Sequence, residues 1–146
     1  MNDLAIRHAE SEAEIAACFP VMVLLRPHLT GVAEFVARVA SQQRAGYRLL
    51  AAWRGMAPLA LAGYRVEENL IRGKFIYVDD LVTAAELRSH GIGARLLDAV
   101  GEIGRNAGCA HLVLDAALDN VLGHRFYYRQ RMLARALRFS RPLGSE

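Results

Sequence analysis

Hydrophobic and polar residues follow two different periods along the chain, and each period predicts its own elements. Apolar residues at helical spacing predict a helix that breaks near Pro20, and three further helices. The predicted helices cover residues 12–25, 31–45, 92–107 and 122–128. Ser11 and Glu14 predict a capping box at the start of the first helix, and Gly108 is expected at the C′ position of the third. Runs rich in apolar, β-branched and aromatic residues predict strands. The predicted strands cover residues 4–7, 47–54, 57–66, 74–83, 111–116 and 133–140.

The order of these elements predicts the fold class. The two-residue turn Gly55-Met56 favours antiparallel pairing of the strands on either side. Later, a strand, the 92–107 helix and another strand follow one another, so these two strands should be parallel through a right-handed crossover. An antiparallel meander followed by this unit predicts an α+β fold with a mixed, mostly antiparallel sheet.

One stretch, Arg88-Ser89-His90-Gly91-Ile92-Gly93-Ala94, lies where a loop enters the 92–107 helix. The first N–H groups of a helix have no partner within it and lie at the positive end of its dipole. The glycines allow a phosphate to approach these groups closely, and Arg88 adds a positive charge. The stretch therefore predicts an anion site suited to a diphosphate.

Three phosphate-binding motifs are candidates for this stretch. A Walker A loop requires a lysine after the glycines, and none follows them. A dinucleotide fingerprint requires a third glycine where Leu96 stands and a shorter connection from the strand that ends at Thr83. The pattern Arg88-x-x-Gly91-x-Gly93 remains. On these residues alone, a glycine-containing loop before a core helix fits equally well.

Length and composition indicate one globular domain over residues 1–146. The chain is 53% hydrophobic and 23% charged, and it has no apolar run long enough to span a membrane. Charged residues near the N-terminus exclude a signal peptide, and Cys18 and Cys109 lack metal-ligand spacing. We therefore expect reduced cysteines and a cytoplasmic protein, with neither a membrane nor a nucleic acid as partner.

The net charge of +3 leaves one other class of function open. Arginines are scattered along the chain until the stretch from Arg125 to Arg141, which is the only candidate basic patch. A small basic domain that binds nucleic acid through this stretch is one alternative. A solvated arginine-rich face is the more ordinary interpretation.

Three blocks of the sequence, in order and spacing, resemble the GNAT N-acetyltransferase superfamily over most of the chain. The first runs from Asp79 through Leu87 into Arg88, and the second is the glycine stretch itself. The third is Asn120-x-x-Gly123-His124-Arg125-Phe126-Tyr127. Five positions depart from the family pattern: Thr83 for valine, Ala85 for proline, Gly123 for alanine, and Arg131-Met132 for Gly-Phe.

The resemblance implies a GNAT-type fold, whose two parallel strands splay apart to admit acyl-CoA, and acetyl-CoA as the cofactor without a metal. It implies that the backbone of Leu81, Val82 and Thr83 pairs with the pantetheine arm and that Asn120 contacts the same arm. Tyr127 would protonate the departing thiolate. The pyrophosphate would be held by the N–H groups of Arg88, Ser89, His90, Gly91, Ile92, Gly93 and Ala94.

Two adjacent carboxylates, Asp79 and Asp80, are candidates for the general base that takes the acceptor amine's proton through water. Neighbouring residues of a strand face opposite ways, so at most one should point into the acyl groove. We favour Asp79, where relatives often carry a glutamate. An equal alternative is that both aspartates are solvated or cap backbone groups.

The resemblance implies transfer of an acetyl group to a primary amine by direct attack, and the sequence does not identify that amine. Residues 12–43 should line the acceptor site, and Asp79, Asp80 and Glu34 should attract a cationic amine. A small molecule, a peptide and a protein lysine all remain open as acceptors. A non-catalytic acyl-CoA-binding regulatory module is the second alternative, and a homodimer is common among small family members.

Overall fold

The computed structural model describes residues 4–144, which divide into two compact units. The first ends at Leu114 and the second begins at Asp115. The first unit contains a five-stranded sheet and four α-helices, and the second contains one helix. That residues 1–146 form a single domain stays a prediction.

The first unit contains nine regular elements in an order close to the predicted one. The strands are β1 (Leu4–His8), β2 (Arg48–Arg54), β3 (Ala57–Asn69), β4 (Gly73–Thr83) and β5 (His111–Leu114). The helices are α1 (Glu12–Ala17), α2 (Phe19–Leu25), α3 (Val32–Gln43) and α4 (Ile92–Asn106). A 3₁₀ turn over Ala85–Leu87 fills the connection between β4 and the glycine stretch.

The sheet has the order β1-β2-β3-β4-β5, with antiparallel pairs up to β4 and a parallel β4–β5 pair. This confirms the mixed, mostly antiparallel sheet and the parallel pair joined through α4. The strand β2 is buried over Leu49–Trp53 without alternation. Such a run is expected where both faces of a strand are covered.

Helices cover both faces of this sheet. The helices α1, α2 and α3 pack on the face that carries Leu49, Ala51 and Trp53, and Cys18 lies in the same core with a free thiol. The helix α4 packs against β2, β3, β4 and β5. Its buried residues are Ile92, Leu96, Leu97, Val100 and Gly104.

Two local signals set the ends of these helices. The capping box at the start of α1 is complete: the Ser11 hydroxyl accepts from the Glu14 N–H at 3.1 Å, and the Glu14 carboxylate accepts from the Ser11 N–H at 3.1 Å. The helix α4 ends at Asn106, and Gly108 occupies the C′ position as predicted, with a φ of +85°. There the Cys109 N–H donates to the Gly104 carbonyl at 2.8 Å, which closes a Schellman motif.

The second unit contains α5 (Val121–Arg129), which confirms the short helix predicted over 122–128. The strand predicted over 133–140 is wrong, because residues 130–144 form neither helix nor strand. The apolar alternation there is interrupted by Arg135, so no continuous apolar face exists to bury. Leu133, Leu137 and Phe139 are exposed. Among residues 4–144, no helix is both long and apolar enough to cross a membrane.

Candidate active site

The strand β4 changes its pairing halfway along its length. On one side it pairs with β3 from Gly73 to Thr83. On the other side β5 pairs only with Phe75–Val78. Within residues 4–144, no strand pairs with Asp79–Thr83 on the β5 side, so this edge of the backbone is open. An extended ligand can bind to such an edge as an added strand.

A β-bulge lies at the point where β5 leaves β4. Gly63 pairs with Asp80, and Tyr64 pairs with Val78, so Asp79 is an extra residue on β4. The extra residue breaks the alternation of side chains. The expectation that Asp79 and Asp80 face opposite ways is therefore wrong. Asp79 contacts Arg65, and Asp80 lies opposite Gly63. Because Gly63 and Arg65 are two residues apart on β3, they share one face of the sheet, and the two aspartates lie on that face.

The Asp79 carboxylate is held by a guanidinium from the neighbouring strand. Arg65 donates to its two oxygens, from Nε at 2.9 Å and from an Nη at 2.7 Å. The remaining Nη of Arg65 forms an ion pair with Glu67 at 2.7 Å. Both oxygens of Asp79 are thus engaged by one planar fork, which is the strongest geometry for such a pair.

The Asp80 carboxylate binds two partners from distant parts of the chain. Arg26, directly after α2, donates from Nε at 2.9 Å, and its Nη2 donates to the Asp79 carbonyl at 2.8 Å. The Tyr47 hydroxyl donates to the other oxygen of Asp80 at 2.8 Å. Tyr47 is only 3% exposed, and burial followed by the Asp80 charge raises its pKa well above 10. Tyr47 therefore stays protonated and acts as a donor.

The Glu34 carboxylate, which was expected to attract a cationic amine, binds groups at the start of α3 instead. Its carboxylate accepts from the Thr30 N–H at 2.8 Å and from Arg38 at 3.1 Å. These contacts, the Thr30 N–H first, lower the pKa of Glu34. The charge of Glu34 thus stabilises its own helix N-terminus.

The glycine stretch forms the N-terminus of α4, as predicted. Gly91 is the N-cap residue with φ +78°, a conformation that favours glycine, and Ser89 also has a positive φ of 70°. In the described part of the chain, no side chain caps this helix. Ile92 anchors the turn in the core, while Arg88, Ser89, His90 and Gly91 are exposed. The first N–H groups of α4 are thus available to an anion.

The third block of predicted site residues lies in the second unit, at α5. Asn120 is the N-cap of α5, and its side chain accepts from the Gly123 N–H at 3.1 Å. A Cβ at position 123 would lie 2.4 Å from the Asn120 amide nitrogen, so the departure from alanine to Gly123 accommodates this cap. Tyr127 is half-buried, and burial raises its pKa. The CoA contact of Asn120 and the acid role of Tyr127 stay predictions.

Sequence reasoning missed four residues around the aspartates: Arg26, Tyr47, Gly63 and Arg65. No local motif marks any of them, because each reaches the site from 14 to 54 residues away along the chain. The one available signal was the pair of adjacent aspartates itself, since carboxylates in a half-buried strand require partners.

An open edge of β4 and an uncapped N-terminus of α4 are the two features that would suit an extended, phosphate-bearing ligand. Comparison with known proteins identifies the family that has this fold. The sequence model of the Acetyltransferase (GNAT) family matches residues 12–132. A relative from Bacillus subtilis (strain 168), the uncharacterized N-acetyltransferase YhdJ, is 32% identical over 123 residues, which cover 84% of this chain and 86% of YhdJ.

Solved structures share the fold at lower identity. The aminoglycoside N-acetyltransferase AAC(6')-Iy in complex with CoA superposes with a TM-score of 0.83 at 15% identity, over 97% of this chain and 95% of that one. Glucosamine-6-phosphate N-acetyltransferase from Arabidopsis thaliana gives 0.74 at 19% identity, over 97% and 99%. The chain belongs to the GNAT acetyltransferase family, and it is accordingly an acyltransferase with a GNAT fold.

Proposed function

We propose that this protein transfers the acetyl group of acetyl-CoA to a primary amine by direct attack in a ternary complex. The observation that carries the proposal is the open edge of β4 over Asp79–Thr83, where pairing with β5 has ended. Backbone groups of Leu81, Val82 and Thr83 on that edge suit a pantetheine arm, which carries amides and can pair as a strand does.

The N-terminus of α4 supports the same ligand. The N–H groups of the stretch Arg88–Ala94 lie in an exposed turn with a left-handed glycine at its centre and the Arg88 charge beside it. A pyrophosphate carries the charge that such a helix end stabilises. The donor groups of this chain thus fit both the pantetheine and the diphosphate of CoA.

The proposed reaction forms a C–N bond and breaks the C–S bond of the thioester. Backbone N–H groups of β4 stabilise the developing oxyanion. A carboxylate of the aspartate pair takes the amine proton through water, and Tyr127 gives a proton to sulfur. The raised pKa of Tyr127 keeps this phenol protonated at neutral pH.

Of the two aspartates, we place Asp80 first as the base, although the sequence favoured Asp79. Both oxygens of Asp79 are held by the Arg65 fork, so neither oxygen is free to turn toward a water that carries the proton. The Arg26 guanidinium contacts only one oxygen of Asp80, with Nε and Nη2 both at 2.9 Å, and the other oxygen accepts from the neutral Tyr47 hydroxyl. Acceptors for a first screen are an aminoglycoside and glucosamine 6-phosphate, the substrates that the similar enzymes are named for.

The first test is calorimetric titration of acetyl-CoA into the parent protein and into Gly91→Glu. The substitution places an anion and a side chain where the pyrophosphate should bind. We therefore expect binding to fall at least about 100-fold, which is the scale for removing charge-assisted hydrogen bonds. The matched control is Gly55→Glu, another exposed glycine with positive φ, at the β2–β3 turn. Absence of binding by the folded parent would overturn the proposal.

Tyr127→Phe separates an enzyme from a regulatory module that only binds acyl-CoA. We expect kcat to fall about 100-fold, the lower range for loss of a general acid, with acetyl-CoA affinity unchanged. Tyr128→Phe is the control, because this neighbouring tyrosine is 57% exposed. Full turnover in Tyr127→Phe would remove Tyr127 from the mechanism, and a parent that binds acetyl-CoA without acetylating any amine would favour the module.

A further inference from the structure

A space lies beside Asp80 on one face of the sheet, because the residue opposite Asp80 is a glycine. Gly63 of β3 pairs with Asp80 of β4. A Cβ on Gly63 would lie 1.9 Å from the Tyr47 hydroxyl oxygen and 2.4 Å from the Tyr47 Cζ. Such distances exclude any side chain at position 63 while Tyr47 keeps its place. The Tyr47 ring therefore lies directly over the β3 backbone, at a position where only glycine leaves room for it.

The Tyr47 hydroxyl, which lies over Gly63, donates a hydrogen bond to the Asp80 carboxylate at 2.8 Å. Tyr47 and Asp80 are 33 residues apart in the chain. The ring is fully enclosed, so its position is set by packing. A buried phenol without an acceptor would be costly, and here the acceptor is one oxygen of a candidate catalytic carboxylate.

We infer that Tyr47 is a positioning residue for Asp80: its hydroxyl, admitted by Gly63, fixes the carboxylate at the point where β4 parts from β5. The inference rests on the proposed function, in which Asp80 accepts the proton of the attacking amine. Arg26 holds the other oxygen of Asp80, so the two contacts together leave the carboxylate one orientation.

The charged and titratable groups that face Asp80 come from four elements. They are Arg26 after α2, Tyr47 before β2, Arg65 on β3 and Asp79 on β4 itself. Of these, Tyr47 alone is neutral and contacts Asp80 directly. Removing its hydroxyl therefore takes away a donor without changing the charge around Asp80, which makes the position suited to a clean test.

The test compares Tyr47→Phe with Tyr64→Phe. Tyr64 is an equally buried tyrosine on β3 whose hydroxyl contacts His8 at 2.7 Å, so it controls for the loss of a buried hydroxyl. The probe is acetyl-CoA with water as the acceptor, followed by release of the CoA thiol from pH 5 to pH 8.5. A second readout is the ¹³C signal of the Asp80 carboxyl carbon at pH 7, assigned by its absence from Asp80→Asn.

We expect kcat of Tyr47→Phe to fall about tenfold at pH 7.5, with the KM for acetyl-CoA unchanged, because a misplaced base affects the chemical step. The loss should exceed that of Tyr64→Phe at every pH from 5 to 8.5, because the Tyr47 hydroxyl contacts Asp80 directly and the Tyr64 hydroxyl contacts His8. The Asp80 carbon signal should move in Tyr47→Phe and stay in Tyr64→Phe, whose rates should remain within about twofold of the parent.

Gly63→Ala gives a second route to the same outcome, because the added methyl displaces the Tyr47 ring. Gly101→Ala is its control, since a Cβ there would meet only a Leu112 methyl at 4.0 Å. If Tyr47→Phe has the same pH profile and Asp80 signal as Tyr64→Phe, the inference is overturned while the acetyltransferase proposal stands. A displaced signal with unchanged rates overturns it equally, because the contact would then be structural only.

Discussion

The two halves of β4 differ in what surrounds them, although they belong to one continuous strand. From Phe75 to Val78 the strand is paired on both sides, by β3 and by β5. From Asp79 to Thr83, β3 is the one strand of residues 4–144 that pairs with it. The first half buries Phe75, Ile76 and Val78, and the second half carries the two aspartates and the open backbone edge. The residue at which the pairing changes is also the residue of the bulge.

A stable sheet can contain an open backbone edge when the neighbouring strand is short. A paired backbone has its N–H and C=O groups satisfied and contributes to the fold, while an unpaired backbone edge needs a partner. Here β5 ends after four residues, so the same strand supplies both kinds of backbone. The side chains follow this division: apolar residues stabilise the paired half, and the open half carries two aspartates held by Arg65, by Arg26 and by the buried Tyr47 hydroxyl.

Ile76→Ala should produce the largest effect, and that effect should be on stability. Ile76 is 1% exposed in the paired half of β4, and we expect the free energy of unfolding to fall by about 4 kcal/mol, as for other buried isoleucines. Its direct partner on β3, Val66, is 39% exposed, so Val66→Ala should cost less than about 1 kcal/mol. Urea unfolding measures both, and equal losses would contradict the burial of Ile76 in the core of the paired half.

Asp80→Asn should come second, and its effect should be on rate. We expect kcat to fall about 100-fold, with acetyl-CoA affinity within about twofold of the parent, because the base is lost while the open edge remains. Asp79→Asn should cost about tenfold, since Arg65 holds that carboxylate away from proton transfer. Steady-state kinetics with the best amine of the screen measures both, and the exposed Asp98 provides the control Asp98→Asn. The reverse order of losses would make Asp79 the base.

Ser11→Ala should produce the smallest effect and touch neither half of β4. Loss of the N-cap of α1 should lower the free energy of unfolding by about 1 kcal/mol and leave acetyl-CoA binding unchanged. An equal loss of acetyl-CoA affinity would show that α1 is coupled to the open edge.

The same cap predicts a pH dependence. The backbone N–H groups of Glu10 and Ser11, and then Arg7, lower the pKa of Glu14 from 4.5 to about 2. Because the folded pKa is depressed, the stabilisation is complete above about pH 4.5 and is lost as the pH falls through about 2. Glu14→Gln should lack this dependence in thermal unfolding between pH 5 and pH 2.

Patterns that depend on neighbours in the chain were predicted well. The capping box at Ser11, the helix end at Gly108 and the turn into α4 at Gly91 all formed as the sequence indicated. Each involves hydrogen bonds within a few residues, so the residue types alone specify the geometry. The strand predicted over 133–140 failed for the complementary reason, because a strand forms only where another strand supplies its hydrogen bonds.

Local periodicity and backbone preference encode the order of strands and helices from β1 through α5, the parallel pair joined through α4 and the glycine turn that starts α4. The partners of each carboxylate in the aspartate pair, in contrast, depend on the tertiary structure. The bulge at Asp79 turned both side chains to one face, and Arg26, Tyr47, Gly63 and Arg65 arrived there from distant positions. Register and close packing between strands are properties of the assembled sheet, and no single stretch of the chain contains them.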